Sequence, residues 1–324
     1  MQYARERQGE DDDRIATMRS VFMGSPEFAL PSLDSLKSQT QIVGVVTQPD
    51  RPAGRGREMT PPPVKVLSEK LGLPVIQPIK LRTPEAMDQL RAWHPEIIVV
   101  AAFGQILRPE VLSLPPYGCV NLHASLLPRH RGASPIAAAI LAGDRETGVT
   151  LMKMDPGLDT GPVLAQKRMP IQVSDTAETL GRKLALLAGE TLTEFLPVYL
   201  RGEIVPRPQD DSLATYAPQL HKEDGRLDFH QPAEILQRKV RAFHPWPGTF
   251  TVWKGQPLRI VGSKTEPNDR EAAPGTTVEK SHFPAIRTSE GLLILVQVQP
   301  AGKRIMTGDE FLRGAKDFLG QILE

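Results

Sequence analysis

The chain has 324 residues, 40% of them apolar and 24% charged, with a formal net charge of +1. That length predicts two domains, since single domains commonly run to about 100–200 residues. The near-neutral balance excludes a protein that coats nucleic acid by overall charge, while leaving room for a local basic patch. One cysteine, Cys119, allows no internal disulfide and fits a reducing compartment, and no apolar run approaches the ~18 residues of a membrane span.

Residues 1–18 are polar and carry the acidic run Glu10-Asp11-Asp12-Asp13, which predicts a disordered tail, or a start at Met18. From Arg19 an alternating pattern begins. Val21 to Met23 reads as a strand stopped by Gly24-Ser25-Pro26, a helix runs through Leu33 to Leu36, and Ile42 to Val46 is the next strand. An amphipathic stretch from Val64 to Leu71, a short strand near Val75 and a helix from Glu85 to Trp93 follow. Ile97 to Ala102 is the strongest buried strand. Cys119 to Leu122 is another, then an Ala-rich helix from Pro135 to Leu141, a strand from Val149 to Met154, and long helical periodicity from Ala177 to Leu200. This alternation predicts an α/β domain built on a parallel sheet over residues 19–205.

Pro206, Pro208, Asp210 and Asp211 make a polar linker, 206–214. In 215–324 a helix from Ala233 to Phe243 precedes short β-type runs at Thr249–Trp253, Leu258–Val261, Ala285–Thr288 and Leu292–Val298, the pattern of a small OB-like β-barrel.

The stretch from Cys119 to Pro128 is richest in chemistry. Alternate strand residues share a face, so Asn121 and His123 point the same way at the strand's C-terminal end, where open α/β sheets bind ligands. Asn supplies donors for a developing oxyanion, and His moves a proton near neutral pH. In Asp155-Pro156-Gly157-Leu158-Asp159-Thr160-Gly161-Pro162 two glycines bracket a turn that can aim Asp159 inward. Asp159 is equally suited to building that turn, and Asp155 competes with it on spacing. No Cys/His cluster has metal-ligand spacing, and no Walker-type loop or G-x-G-x-x-G occurs. Cys119, in an apolar strand, reads as packing.

Arg51, Arg55 and Arg57 lie on a Pro- and Gly-rich loop that can approach a phosphate backbone. Lys222, Arg226, Arg238, Lys239 and Arg241 are candidates for a second basic face, although a charged helix surface is ordinarily only solvated.

The set Asn121, His123, Ser125-Leu126-Leu127-Pro128, Arg131-Gly132 and Gly157-Leu158-Asp159-Thr160-Gly161 resembles the folate-dependent formyltransferases. The stretches from Thr47 to Gly56, Leu220 to Asp228 and Arg241 to Pro247 are similar to the members that act on methionyl-tRNA. The resemblance runs from about Arg19 to the C-terminus. It implies a Rossmann-like domain and an OB-like domain, and a catalytic trio of Asn121, His123 and Asp159. It implies a folate pocket from Ser125, Leu126, Leu127 and Pro128 with backbone near Phe103 to Leu107. It also implies 10-formyltetrahydrofolate as formyl donor with no metal, and an initiator methionyl-tRNA held partly by the arginine loop. A cytoplasmic monomer is expected. The sequence departs from the pattern in the segment before Met18 and at Arg57-Glu58, where two basic residues are expected. A family member acting on a sugar-nucleotide amine is the alternative.

Overall fold

The computed structural model describes residues 13–53, 58–267 and 273–323. They divide into two compact units: the described residues within Met1–Pro135, Glu146–Pro170 and Gly181–Ala217 form one, and those within Ile136–Arg145, Ile171–Leu180 and Pro218–Glu324 the other.

In the first unit the strands are β1 (Arg19–Gly24), β2 (Gln41–Val46), β3 (Arg51–Ala53), β4 (Glu58–Thr60), β5 (Val75–Ile76), β6 (Ile97–Ala101), β7 (Cys119–His123), β8 (Arg131–Gly132), β9 (Glu146–Lys153), β10 (Val163–Pro170) and β11 (Tyr216–Ala217). Seven of them build one sheet in the order β10-β9-β7-β6-β1-β2-β5. β5, β2, β1, β6 and β7 run parallel, whereas β9 and β10 are antiparallel additions at one edge. β6 reads Ile-Ile-Val-Val-Ala and is buried throughout, because helices cover both faces of a parallel sheet and leave no polar side. Val21, Met23, Val46, Leu90, Ile98, Val100 and Cys119 share one core cluster. The helix Pro84–Ala92 starts where Thr83 accepts from the Ala86 amide and Pro84 takes the first turn, where a missing N–H costs nothing.

Burial of Cys119 pushes its thiol up to about 12. The thiolate is the reactive form, so native protein at pH 8 should resist thiol reagents, and one equivalent should label after unfolding in guanidinium. Rapid labelling of native protein would contradict this placement.

Four segments differ from the sequence reading. The arginine loop has regular arms: β3 and β4 pair as an antiparallel ladder around residues 54–57, which lie outside the described residues. β10 was not expected, because its outer half is polar: it pairs only with β9, and Lys167 and Arg168 sit where a central strand would need apolar side chains. The stretch 206–214 is not a free linker. Arg207 and Val163 exchange backbone hydrogen bonds of 2.8 and 2.9 Å, and β11 pairs in parallel with β8. The segment read as a tail is helical at 13–17, with Ile15 buried.

In the second unit β12 (Thr249–Trp253), β13 (Gln256–Glu266), β14 (Thr277–Lys280), β15 (Phe283–Arg287), β16 (Leu292–Pro300) and β17 (Met306–Thr307) form an antiparallel sheet in the order β12-β13-β16-β15-β14, with β17 on β16. Leu236 and Val240 of the helix Ala233–Ala242 join Leu258, Ile260, Leu295 and Val298 in its core. The helix Gly308–Gly314 adds Phe311.

Candidate active site

β7 lies between β6 and β9, with Val100 opposite Asn121 on one side and Met152 on the other. Asn121 is half-buried in the middle of the strand, and His123, its last residue, is 6% exposed.

Each nitrogen of the His123 ring faces a protein oxygen. Its Nε2 lies 2.9 Å from the His130 carbonyl, which can only accept, so Nε2 carries the hydrogen. Its Nδ1 lies 3.5 Å from Asp159 Oδ2. Nε2 is thus engaged by the His130 carbonyl, and Nδ1 is the nitrogen that faces the carboxylate.

Asp159 reaches that position through a left-handed backbone, φ +53°. A non-glycine residue there costs roughly 1–2 kcal/mol, so contacts outside the turn must hold it. Oδ2 accepts from the Gly132 amide at 2.8 Å. Gly132 has φ +118°, and a Cβ there would come within 2.6 Å of the Ala217 carbonyl, so only glycine lets β8 and β11 close around the bend. Gly161 is as tight, since a Cβ would meet the Lys153 carbonyl at 1.9 Å. The competing carboxylate, Asp155, is occupied by its own turn, accepting from the Gly157 amide at 3.0 Å and Thr160 Oγ1 at 2.7 Å.

The His130 carbonyl and Gln209 escaped the sequence reading, and Arg131 and Gly132 entered it only as part of the resemblance, with no role given to the Arg131 side chain or the Gly132 amide. Gln209 Nε2 donates to the carbonyls of Asp159 and Gly161 at 2.8 and 2.7 Å. Its Oε1 accepts from Arg131 Nε and NH2 at 3.1 and 2.8 Å, and Arg131, 2% exposed, also meets Asp211 at 2.7 Å. No local pattern flags Gln209, because its partners lie 48 to 78 residues away.

The residues that the resemblance assigns to folate divide into two kinds. Ser125 is fully buried and donates to the Arg129 carbonyl at 2.6 Å, and Leu127 is packed with Met152 and Val163. Phe103 and Leu107 belong to the core, so they can offer a ligand backbone only. Leu126 and Pro128 are half-buried. Between Phe103 and Leu107, Ile106 is 86% exposed at a cavity of about 360 Å³, and Gln105 pins the loop to Leu81 N and the Pro78 carbonyl.

The cations are less uniform than their spacing suggests. Arg51 is exposed, bonded to Gln48 at 2.8 Å, whereas Arg55 and Arg57 lie outside the described residues. Lys222 is exposed. Lys239 donates to the Arg226 carbonyl at 2.9 Å, and burial holds it below the ordinary lysine value. Arg241 is bonded to Gln237 and the Asp175 carbonyl, again with burial lowering its pKa. Arg238 and Arg241, with Arg145 and Lys264, line a cavity of about 620 Å³ in the second unit. Lys239 and Arg241 thus tie the helix to its own unit.

Comparison with known proteins gives two family matches: the formyl transferase model over residues 18–196, and the formyl transferase C-terminal domain model over 219–316. The methionyl-tRNA formyltransferase of Chloroflexus aggregans is 50% identical over 300 residues, 92% of this chain and 97% of its own. That of Myxococcus xanthus is 50% identical over 299 residues, 92% and 95% of the two chains. Among solved structures, HypX from Aquifex aeolicus in complex with tetrahydrofolic acid superposes with a TM-score of 0.61 at 18% identity. That match covers 93% of this chain and 47% of the other, so this chain spans about half its length and the likeness concerns the fold.

Proposed function

The chain belongs to the formyl transferase family, and we propose that it moves the formyl group of 10-formyltetrahydrofolate to the α-amine of initiator methionyl-tRNA in the cytoplasm. The observation that carries the chemistry is the approach of the Asp159 carboxylate to the His123 ring at the end of β7, with Asn121 two residues earlier on the same strand. Half identity to relatives named for methionyl-tRNA, along nearly their whole length, supports that acceptor over a sugar amine. Among the described residues no helix is long and apolar enough to cross a membrane.

The reaction needs no covalent intermediate. A free α-amino group has a pKa near about 7.7–8.0, and an aminoacyl ester is less basic still, so a neutral amine is present at cellular pH. Its nitrogen lone pair attacks the formyl carbon, and the carbonyl π pair moves onto oxygen. Asn121 donates a hydrogen bond to that oxyanion. Asp159, steadied by the Gly132 amide, takes the amine proton with His123 as its neighbour. The carbon–nitrogen bond to the folate then breaks, the folate nitrogen regains a proton, and tetrahydrofolate and formylated methionyl-tRNA leave. The half-buried Leu126 and Pro128 and the backbone of 103–107 would line the folate, and Arg51 would meet the tRNA backbone.

The test is formyl transfer by purified protein from 10-formyltetrahydrofolate to charged initiator tRNA, with uncharged and elongator tRNAs as controls. Formylmethionine on the initiator alone is expected. Transfer to an amino-sugar nucleotide in preference to the charged tRNA would overturn the reading.

A further inference from the structure

We infer that Gln209 is a positioning residue for catalysis, a clamp that holds the Asp159 bend in its reactive shape with Arg131 as its anchor; this rests on the reading of Asp159 given above. The orientation of the Gln209 amide is forced. Its NH2 faces two carbonyls, of Asp159 and Gly161, which can only accept. Its oxygen faces the Arg131 guanidinium, which can only donate. Turning the amide over would set oxygen against both carbonyls and NH2 against the guanidinium, so all four contacts would be lost together.

One carbonyl belongs to the 159–160 peptide and the other to the 161–162 peptide. Holding both therefore fixes the peptide plane that leaves Asp159 and the plane two residues further on, and so confines the Thr160-Gly161 pair between them. That matters because Asp159 sits in the left-handed backbone region, and its carboxylate is received by the Gly132 amide, which lies outside its own turn. Arg131 joins both ends of the device. Its side chain orients Gln209, and the next residue, Gly132, supplies the amide that receives Asp159 Oδ2. The clamp closes a loop from carboxylate to β8, through a buried guanidinium, and back to the carbonyl of the same aspartate. The 206–214 stretch that carries Gln209 is itself fastened, by Arg207 to Val163 and by β11 to β8.

Removing the clamp should release the direction of the carboxylate while leaving both substrate surfaces intact. In steady-state formyl transfer, Gln209→Leu should lower kcat by up to about 10²-fold, the scale on which displacement of a catalytic group by about an ångström acts, with KM for folate and tRNA unchanged. The 15N resonances of the His123 ring should shift, because the carboxylate beside Nδ1 moves. Gln209→Glu keeps the oxygen for Arg131 and opposes the two carbonyls with a second oxygen, so it should be impaired as well. Loss of stability without either effect is what a merely structural glutamine would give. Should Gln209→Leu fold poorly, Gln209→Glu supplies the same two readouts. Wild-type kcat and unshifted His123 resonances in these variants, beside a strongly impaired Asp159→Asn control, overturn the clamp alone. A fully active Asp159→Asn control overturns the site reading and the clamp with it.

Discussion

Asp159→Asn should lower kcat for formylation of methionyl-tRNA by about 10²–10⁴-fold, the usual contribution of a positioned acid or base. The substitution is chosen because it preserves the fold. Asparagine has the same shape and keeps an oxygen for the Gly132 amide, so the bend at φ +53° retains its contact. What disappears is the negative charge 3.5 Å from His123 Nδ1 and the capacity to accept a proton from the amine. Asn121→Ala acts on a different step and should cost about 10²–10³-fold, as removal of one oxyanion donor does. In both variants KM for the folate should change little, because neither side chain is assigned to its binding. Rapid-quench measurement of a single turnover isolates the chemical step, and wild-type rates in either variant exclude that residue from its role.

Phe318→Ala should destabilise the second unit by about 3–5 kcal/mol, the cost of deleting a buried aromatic side chain and leaving its cavity. Phe318 is 0% exposed. It meets Trp253 edge-on at 5.7 Å and Phe311 at 5.2 Å, and those two meet each other at 5.4 Å, so each ring has two T-shaped neighbours. Edge-to-face contacts of this kind add about 0.5–1.5 kcal/mol beyond the area they bury. A domain is stable by only about 5–15 kcal/mol, so the loss is a large fraction of the total. Denaturant unfolding should show a lower midpoint, and amide exchange should lose protection first in β12, β13, β16 and the helix Gly308–Gly314. An unchanged midpoint would mean that the trio does not hold this unit together.

The elements read correctly from sequence are those whose signal is local. Ile97 to Ala101 is unbroken apolar, and a strand buried on both faces needs no more information than that. The helix Ala233–Ala242 declares itself by its 3.6-residue period. β10 escaped because an edge strand half open to solvent can carry Lys167 and Arg168, which erases the apolar pattern. The β3–β4 arms escaped because Pro52 and the glycines beyond it read as loop.

At the site the same division holds. A period of two along one strand was enough to place Asn121 beside His123, and glycines on both sides were enough to mark a tight bend carrying Asp155 and Asp159. Which carboxylate faces the imidazole was decided by tertiary structure: Asp155 spends its oxygen on its own turn, and Asp159 is drawn to the amide of Gly132, 27 residues away. The same is true of the His123 ring, whose Nε2 is taken by a carbonyl that no side-chain pattern advertises. It is true above all of Gln209, which looks like part of a polar connector until its amide is seen across two carbonyls 48 and 50 residues distant. Periodicity and turn chemistry are written between near neighbours in the chain, so they mark the apolar strands, the amphipathic helices and the candidate side chains. The direction in which each polar group points depends on partners that only folding brings within 3 Å, and such pairings leave no trace in local order.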